Sequence, residues 1–288
     1  MYIANELKVV NNKQYDADIR ETVLDILYTL ISDIIASKRA FDISDFDLEY
    51  YDEFELKTNC HEDIFNTIYI SINQPSNYKP LKKIPKDKDK IIFPELYYTL
   101  DEFKKDLHAE FVANLDSNNI IWMDEYSVCL KATVNKDDAQ YDYYFKMIPC
   151  LTYYNQNNVK GQMYQKNGGI EIEYIDLAKD NFKKKNDLTD DLFRQTILIY
   201  KNLLLKEKNI TTLPREIIET FVYNVPNDMF VDDSKRTMIN IVNYIRNNSI
   251  KLFKTIDEQD YAFTSQYRSM SPIYVRHITK VLEKQIIK

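Results

Sequence analysis

Between residues 16 and 38 the chain reads DADIRETVLDILYTLISDIIASK, with apolar positions at Ile19, Val23, Leu27, Leu30, Ile34 and Ile35. That recurrence is the spacing of one helix face, so a long amphipathic helix is predicted, with Asp16 or Asp18 at its N-cap. The pattern then changes. FDLEYYDEF, NTIYISINQP, IIWMDEYSVCLKATV and AQYDYYFKMIPCL are short runs rich in Tyr, Ile, Val and Thr with partial alternation, which predicts strands. A second helix interrupts them at YYTLDEFKKDLHAEFVANL, where Thr99 and Glu102 stand at capping-box spacing. Ahead of it, lysines and prolines alternate through residues 79–90, and this segment reads as a solvated loop. GQMYQKNGGIEIEYIDL predicts a hairpin turning at Asn167, Gly168 and Gly169.

From residue 187 onward the period is helical through DLTDDLFRQTILIYKNLLLKEKN, LPREIIETFVYNV, SKRTMINIVNYIRNNSIKLF and SPIYVRHITKVLEKQIIK. Pro214 suits a helix start, and Pro226 suits a position beyond a helix end. One long helix, a mixed β region with an inserted helix, and a run of helices together predict an α+β chain. Its expected division is a β-sheet lobe over residues 1–180, with the N-terminal helix as its spine, and a helical lobe over 181–288. No internal repeat is visible.

Composition narrows the function classes. Among 288 residues, 44% are hydrophobic and 13% aromatic, 23 of them Tyr, which supports a folded protein. A formal net charge of −7 argues against a constitutive wrap around nucleic acid or an anionic membrane. No stretch approaches the roughly 20 apolar residues that span a bilayer, and MYIANELKVV lacks the layout of a signal peptide. The three cysteines, Cys60, Cys129 and Cys150, are widely spaced and form no CxxC pair, so reduced thiols in a cytoplasmic protein are expected. His61, His108 and His277 fall at no metal-ligand spacing.

Candidate chemistry lies in two stretches. IDLAKDNFKKKNDLTDDLFRQTILIYKNLLL, followed by LPREIIETFVYNVPNDMF, resembles the helical lobe of the cGAS-like and bacterial CD-NTase nucleotidyltransferases, the class that includes the oligoadenylate synthetases. Lys201, Pro214, Glu219, Tyr223, Asn224, Val225, Pro226 and Phe230 fall in the order and spacing of that family's pattern. The family's active-site strands carry a Gly-Ser turn, then two acids one residue apart, then a third acid three residues before a proline. DEFELKTN, IYISI and FKMIPC occupy that frame here. The resemblance implies a polymerase β-like nucleotidyltransferase fold with a sheet lobe and a helical lobe facing each other across a cleft.

In such a fold two Mg²⁺ ions clamp the attacking hydroxyl and the leaving pyrophosphate, and the three carboxylates hold the ions. Alternate acids on one strand point to the same side of the sheet. This chain departs at each position. Asp52 and Glu53 stand where the Gly-Ser turn is expected. Phe65 and Thr67 replace the paired acids, and Lys146 replaces the third. Lys201 matches a phosphate-contacting lysine, and Arg215 stands at the family's serine, where it would grip a phosphate or pair with Glu219 one turn on. Lys146 would close the former metal pocket by pairing with Asp52 and Glu53.

The resemblance with these departures implies no catalytic residues, no resident metal, and nucleotide contacts at Lys201 and Arg215. The expected function is a nucleotidyltransferase-fold pseudoenzyme that binds a nucleotide or a protein partner. Two alternatives stand beside it. One is an active, Mg-dependent, template-independent enzyme making oligonucleotide signals in antiphage defence, with displaced acids such as Asp63 or Asp142. The other is a structural protein with a vestigial cleft.

Overall fold

The computed structural model describes residues 17–37, 46–50, 65–72, 99–136, 139–155, 157–205, 215–263 and 272–287. These residues divide into two compact units, one ending at Asp176 and the other beginning at Leu177.

The first unit is a mixed sheet with two helices. Helix α1 (Ala17–Ser37) precedes β1 (Phe46–Tyr50) and β2 (Phe65–Ile72). Helix α2 (Leu100–Asn114) precedes β3 (Ile120–Met123), β4 (Val128–Lys136), β5 (Ala139–Tyr154), β6 (Lys160–Lys166) and β7 (Gly169–Glu173). The strand order is β1-β2-β5-β4-β3, and β6 pairs with the far end of β5 and with β7. Among the described strands only β2 and β5 run parallel, with Thr67 beside Lys146 and Ile70 beside Pro149.

Period-2 alternation sorts the two faces of the sheet. Ile68, Ile70 and Ile72 from β2, Val128, Leu130 and Ala132 from β4, and Tyr143, Phe145 and Met147 from β5 turn to one side. There they meet Val23, Leu27, Ile31 and Ile34 of α1 and Phe103, Leu107 and Phe111 of α2. Burial of each large side chain in this layer contributes about 1.5–3 kcal/mol. Helix α2 starts on the capping box read from the sequence. Thr99 Oγ1 accepts the Glu102 amide at 3.2 Å, and Glu102 Oε2 accepts the Thr99 amide at 2.8 Å.

The stretch IIWMDEYSVCLKATV, expected as one run, is two strands joined by a tight turn at Asp124–Ser127. The Asp124 side chain makes that turn by accepting the backbone amides of Tyr126 at 3.0 Å and Ser127 at 2.6 Å. The β6–β7 hairpin turns at Asn167 (φ 53°) and Gly168 (φ 71°), while Gly169 already pairs with Lys166. Both central residues therefore hold the left-handed backbone that such a turn demands.

The second unit is helical. Helix α3 (Ile175–Asp187) leads into it, followed by α4 (Leu192–Leu205), α5 (Arg215–Tyr223), α6 (Ser234–Asn247) and α7 (Pro272–Ile287). The helical period read from sequence begins only at residue 187, so α3 lies ahead of it. Conversely, the run expected as one helix from Ser234 ends at Asn247, and a single 3₁₀ turn follows at Ile250–Leu252. Phe193, Ile197, Tyr200, Ile218, Phe221, Ile241, Phe263 and Leu282 fill the core of this unit. Tyr200 fixes α4 to α6 by donating its hydroxyl to the Met238 carbonyl at 2.8 Å.

Candidate functional site

The second face of the sheet is polar, and register assembles it. Lys146 on β5 has Thr67 of β2 on one side and Cys129 of β4 on the other. Adjacent partners share a face, so the position read as the third acid and the second of the paired positions lie side by side. Phe65, the first of the pair, lies on β2 opposite Tyr144. Asp52, Glu53 and Asp63 lie outside the described residues, as does the side chain of Phe65.

Lys146 does not stand alone on that face. Its Nζ lies 2.9 Å from Asp124 Oδ2 and donates to the Tyr126 hydroxyl at 2.8 Å, and it sits 4.3 Å from the centre of the Tyr126 ring. Among the described residues the acid beside it is Asp124 of the β3–β4 turn, while the expected partners Asp52 and Glu53 lie outside them. Asp124 also accepts the Ser127 hydroxyl at 2.7 Å. Burial works against the Asp124 carboxylate, but hydrogen bonds from Lys146 and Ser127 outweigh it and hold its pKa below the usual range. Burial likewise works against the Lys146 ammonium, and its bonds to Tyr126 and Asp124 raise its pKa in spite of that.

Aromatic rings extend the arrangement. Tyr164 of β6 stacks on Tyr126 at 5.7 Å and meets Tyr69 of β2 at 6.1 Å. Lys166, two residues beyond Tyr164, brings a second ammonium to 4.9 Å from the Tyr126 ring centre. Cation–π attraction of this kind contributes about 0.5–2 kcal/mol, more as water is excluded.

Divalent cations at this position are what the nucleotidyltransferase resemblance implies. The donors among the described residues do not fit them. Mg²⁺ takes several hard oxygen ligands, with carboxylates among them. Here the central side chain is an ammonium, flanked by a threonine and by Cys129, whose thiol burial pushes up in pKa. Asp124 already accepts five donors, the Cys129 thiol among them, and Asp142 is bound by Lys131 at 2.7 Å and by the Thr133 hydroxyl at 2.8 Å. Among the described residues no three His, Cys, Asp or Glu side chains gather as a metal site.

In the helical unit the resemblance pointed to Lys201 and Arg215. Lys201 of α4 is 1% exposed and lies 2.9 Å from Glu219 of α5, itself 1% exposed. The two form a buried ion pair joining α4 to α5, a partnership the sequence reading had not assigned. Arg215 is the first residue of α5, and its side chain lies outside the described residues. The Tyr223–Phe230 stretch packs on an aromatic cluster in which Phe193 meets Phe182 at 4.8 Å and Tyr223 and Phe230 at 6.4 Å. Asn224 clamps the Lys254 backbone, donating to its carbonyl and accepting from its amide, both at 2.8 Å. Lys185 of α3 donates to the Val225 carbonyl and lies 5.3 Å from the Phe230 ring centre. Burial lowers the Lys185 pKa to about 8, with Asp228 opposing that shift.

Residues 180–286 match the family model of the cGAS/DncV-like nucleotidyltransferase C-terminal helical domain. Solved structures extend the likeness across both units. The Rhodothermus marinus CdnE c-UMP-AMP synthase, solved with Apcpp and Upnpp, superposes with a TM-score of 0.71 at 16% identity, covering 98% of this chain and 95% of that one. The chain has the fold of the cGAS-like nucleotidyltransferases. Elizabethkingia meningoseptica CdnE cyclic dinucleotide synthase shares this nucleotidyltransferase fold with a TM-score of 0.61 at 16% identity, covering 90% and 89% of the two chains. Vibrio cholerae DncV gives 0.62 at 9% identity, covering 95% and 84%. In sequence, the chain is 26% identical over 96 residues to the cyclic UMP-AMP synthase of Rhodothermus marinus, a match over 32% of this chain and only 33% of that relative. The family resemblance drawn from the sequence therefore holds. Among the described residues no helix is long and apolar enough to cross a membrane.

Proposed function

We propose that this chain is a nucleotidyltransferase-fold pseudoenzyme, a cytoplasmic binding or regulatory module that does not perform two-metal nucleotidyl transfer. One observation carries the reading. Where the fold calls for the third metal-binding carboxylate, Lys146 places an ammonium, and Asp124 neutralises it at 2.9 Å. A cation fixed at that point repels divalent ions, and the hydroxyl of Thr67 beside it is no substitute for a carboxylate. Arg215 remains a candidate nucleotide contact of the helical unit under this reading, whereas Lys201, 1% exposed and paired with Glu219, would have to leave that pair to reach a phosphate.

The test is incubation of the purified chain with labelled nucleoside triphosphates and Mg²⁺ or Mn²⁺. No pyrophosphate release is expected above a no-protein control. Similarity to a cyclic UMP-AMP synthase favours the second reading, an active enzyme with displaced acids. Release that disappears in Asp63→Asn or Asp142→Asn variants would establish that reading and end the first.

A further inference from the structure

The polar sheet face holds two ammonium groups around one aromatic ring. Lys146 and Lys166 lie 4.3 and 4.9 Å from the centre of Tyr126, so both ammonium groups border the same ring. An ammonium carries three donors, and Lys146 spends two of them on Asp124 and Tyr126. Its side chain is 20% exposed and that of Asp124 31% exposed, so the pair is reachable from solvent. Asp124 keeps the two amides and the hydroxyl of its own turn, and the Cys129 thiol, whether or not Lys146 is present. The carboxylate is thus a local counter-ion that the lysine can exchange without the turn coming apart.

We infer that this face takes a phosphoanhydride chain directly on Lys146 and Lys166, with no divalent cation, displacing Asp124 as the counter-ion of Lys146. The inference rests on the reading of the site as one without two-metal transfer. Ammonium groups replace the charge that metal ions would supply, and Tyr126 with Tyr164 forms an apolar wall against which the charge–charge contacts are screened less by water. The sign of the metal effect is then inverted. Mg²⁺ on the phosphates competes with the lysines and weakens binding.

Titration calorimetry of the full chain with inorganic tripolyphosphate in EDTA tests this. Wild type is expected to bind, and 5 mM Mg²⁺ is expected to weaken binding about threefold or more, since charge-assisted contacts are lost. Asp124→Asn keeps the turn acceptor and removes the competing charge, so it should tighten binding by about 2–5-fold. Lys146→Met should weaken it about tenfold or more, with circular dichroism verifying that each variant is folded and Lys166→Met serving as a second variant. ATP bound more tightly than tripolyphosphate assigns the chain to a nucleotide, and equal affinities assign it to the phosphates alone. Both outcomes support the inference. Binding only in the presence of Mg²⁺, an Asp124→Asn variant no tighter than wild type, or no binding by folded wild type overturns it. Pyrophosphate release from nucleoside triphosphates would instead overturn the underlying reading, so the two failures are distinct.

Discussion

The buried pair between α4 and α5 gives the sharpest energetic test. Lys201 and Glu219 are each 1% exposed and 2.9 Å apart. Replacing Glu219 by Met leaves an ammonium where water cannot reach it, and replacing Lys201 by Met leaves a carboxylate in the same position. Removing one partner of such a pair costs about 3–5 kcal/mol, against about 0–1 kcal/mol for an exposed pair. Removing both does not, because the two charges leave the core together and methionines fill similar volume. The double variant should lie within about 1 kcal/mol of wild type or above it. At roughly 2–4 °C per kcal/mol, each single variant should lower the melting transition by about 6–20 °C. Thermal and urea unfolding followed by circular dichroism, arranged as a double-mutant cycle, reads the coupling directly. Single variants within 1 kcal/mol of wild type would refute a desolvated pair. The same variants bear on the nucleotide assignment. If Lys201 grips a phosphate, an ATP-induced stabilisation of wild type must vanish in the double variant, even though the double variant is itself stable.

Three further outcomes follow from other positions. Lys185 has its pKa lowered to about 8 by burial, so between about pH 8 and 10 the unfolded chain binds more protons than the folded one and stability rises with pH. Lys185→Met should remove that rise, and parallel slopes for the two proteins in melting temperature against pH would contradict it. A Cβ at Gly161 would meet the Glu173 carbonyl oxygen, Ile172 and Tyr174 at 3.1 Å each, so Gly161→Ala should cost about 1–3 kcal/mol in chemical denaturation. Restoring acids by Phe65→Asp, Thr67→Asp and Lys146→Asp together should create Mn²⁺ binding, visible by electron paramagnetic resonance, that wild type lacks. Failure of the folded triple variant to bind would mean that the three positions do not converge as their register implies.

What the sequence disclosed and what it hid have separate physical causes. The capping box at Thr99 and Glu102 and the Asn167-Gly168 turn were legible because each is local chemistry, fixed within four residues. The alternation of Tyr143, Phe145 and Met147 on one face of β5 was legible for the same reason. Helix α3 was hidden because its sequence, IDLAKDNFKKKND, offers few apolar residues to set a period. The β3–β4 turn was hidden because no Gly or Pro marks it. A side chain, Asp124, bends the backbone there. Thr67 and Lys146 could be singled out by setting the chain against a family pattern, whereas the partner of Lys146 could not. Asp124 reaches Lys146 only because β4 pairs antiparallel with β5 and brings Val128 opposite Met147, which sets the preceding turn beside the lysine. Long-range pairing of this kind has no signature in the spacing of residues along one strand.

The substitutions on the polar face also explain one another. Carboxylates held close together repel unless a cation sits between them, and three of them at a nucleotidyltransferase centre are stable only because metal ions neutralise them. Under the proposed reading an ammonium at one position takes the place of the metal charge, and the carboxylate of Asp124 already balances it, so no acid is needed at Thr67 beside the lysine. The face is thereby neutralised by its own side chains, and Asp124 serves two ends, fixing the β3–β4 turn through its amide bonds and the charge of Lys146 through its second oxygen. Under the proposed reading such a site has no need of a metal for its stability. Its response to chelation distinguishes it from a metal-dependent relative, because removal of divalent ions should leave its melting temperature unchanged.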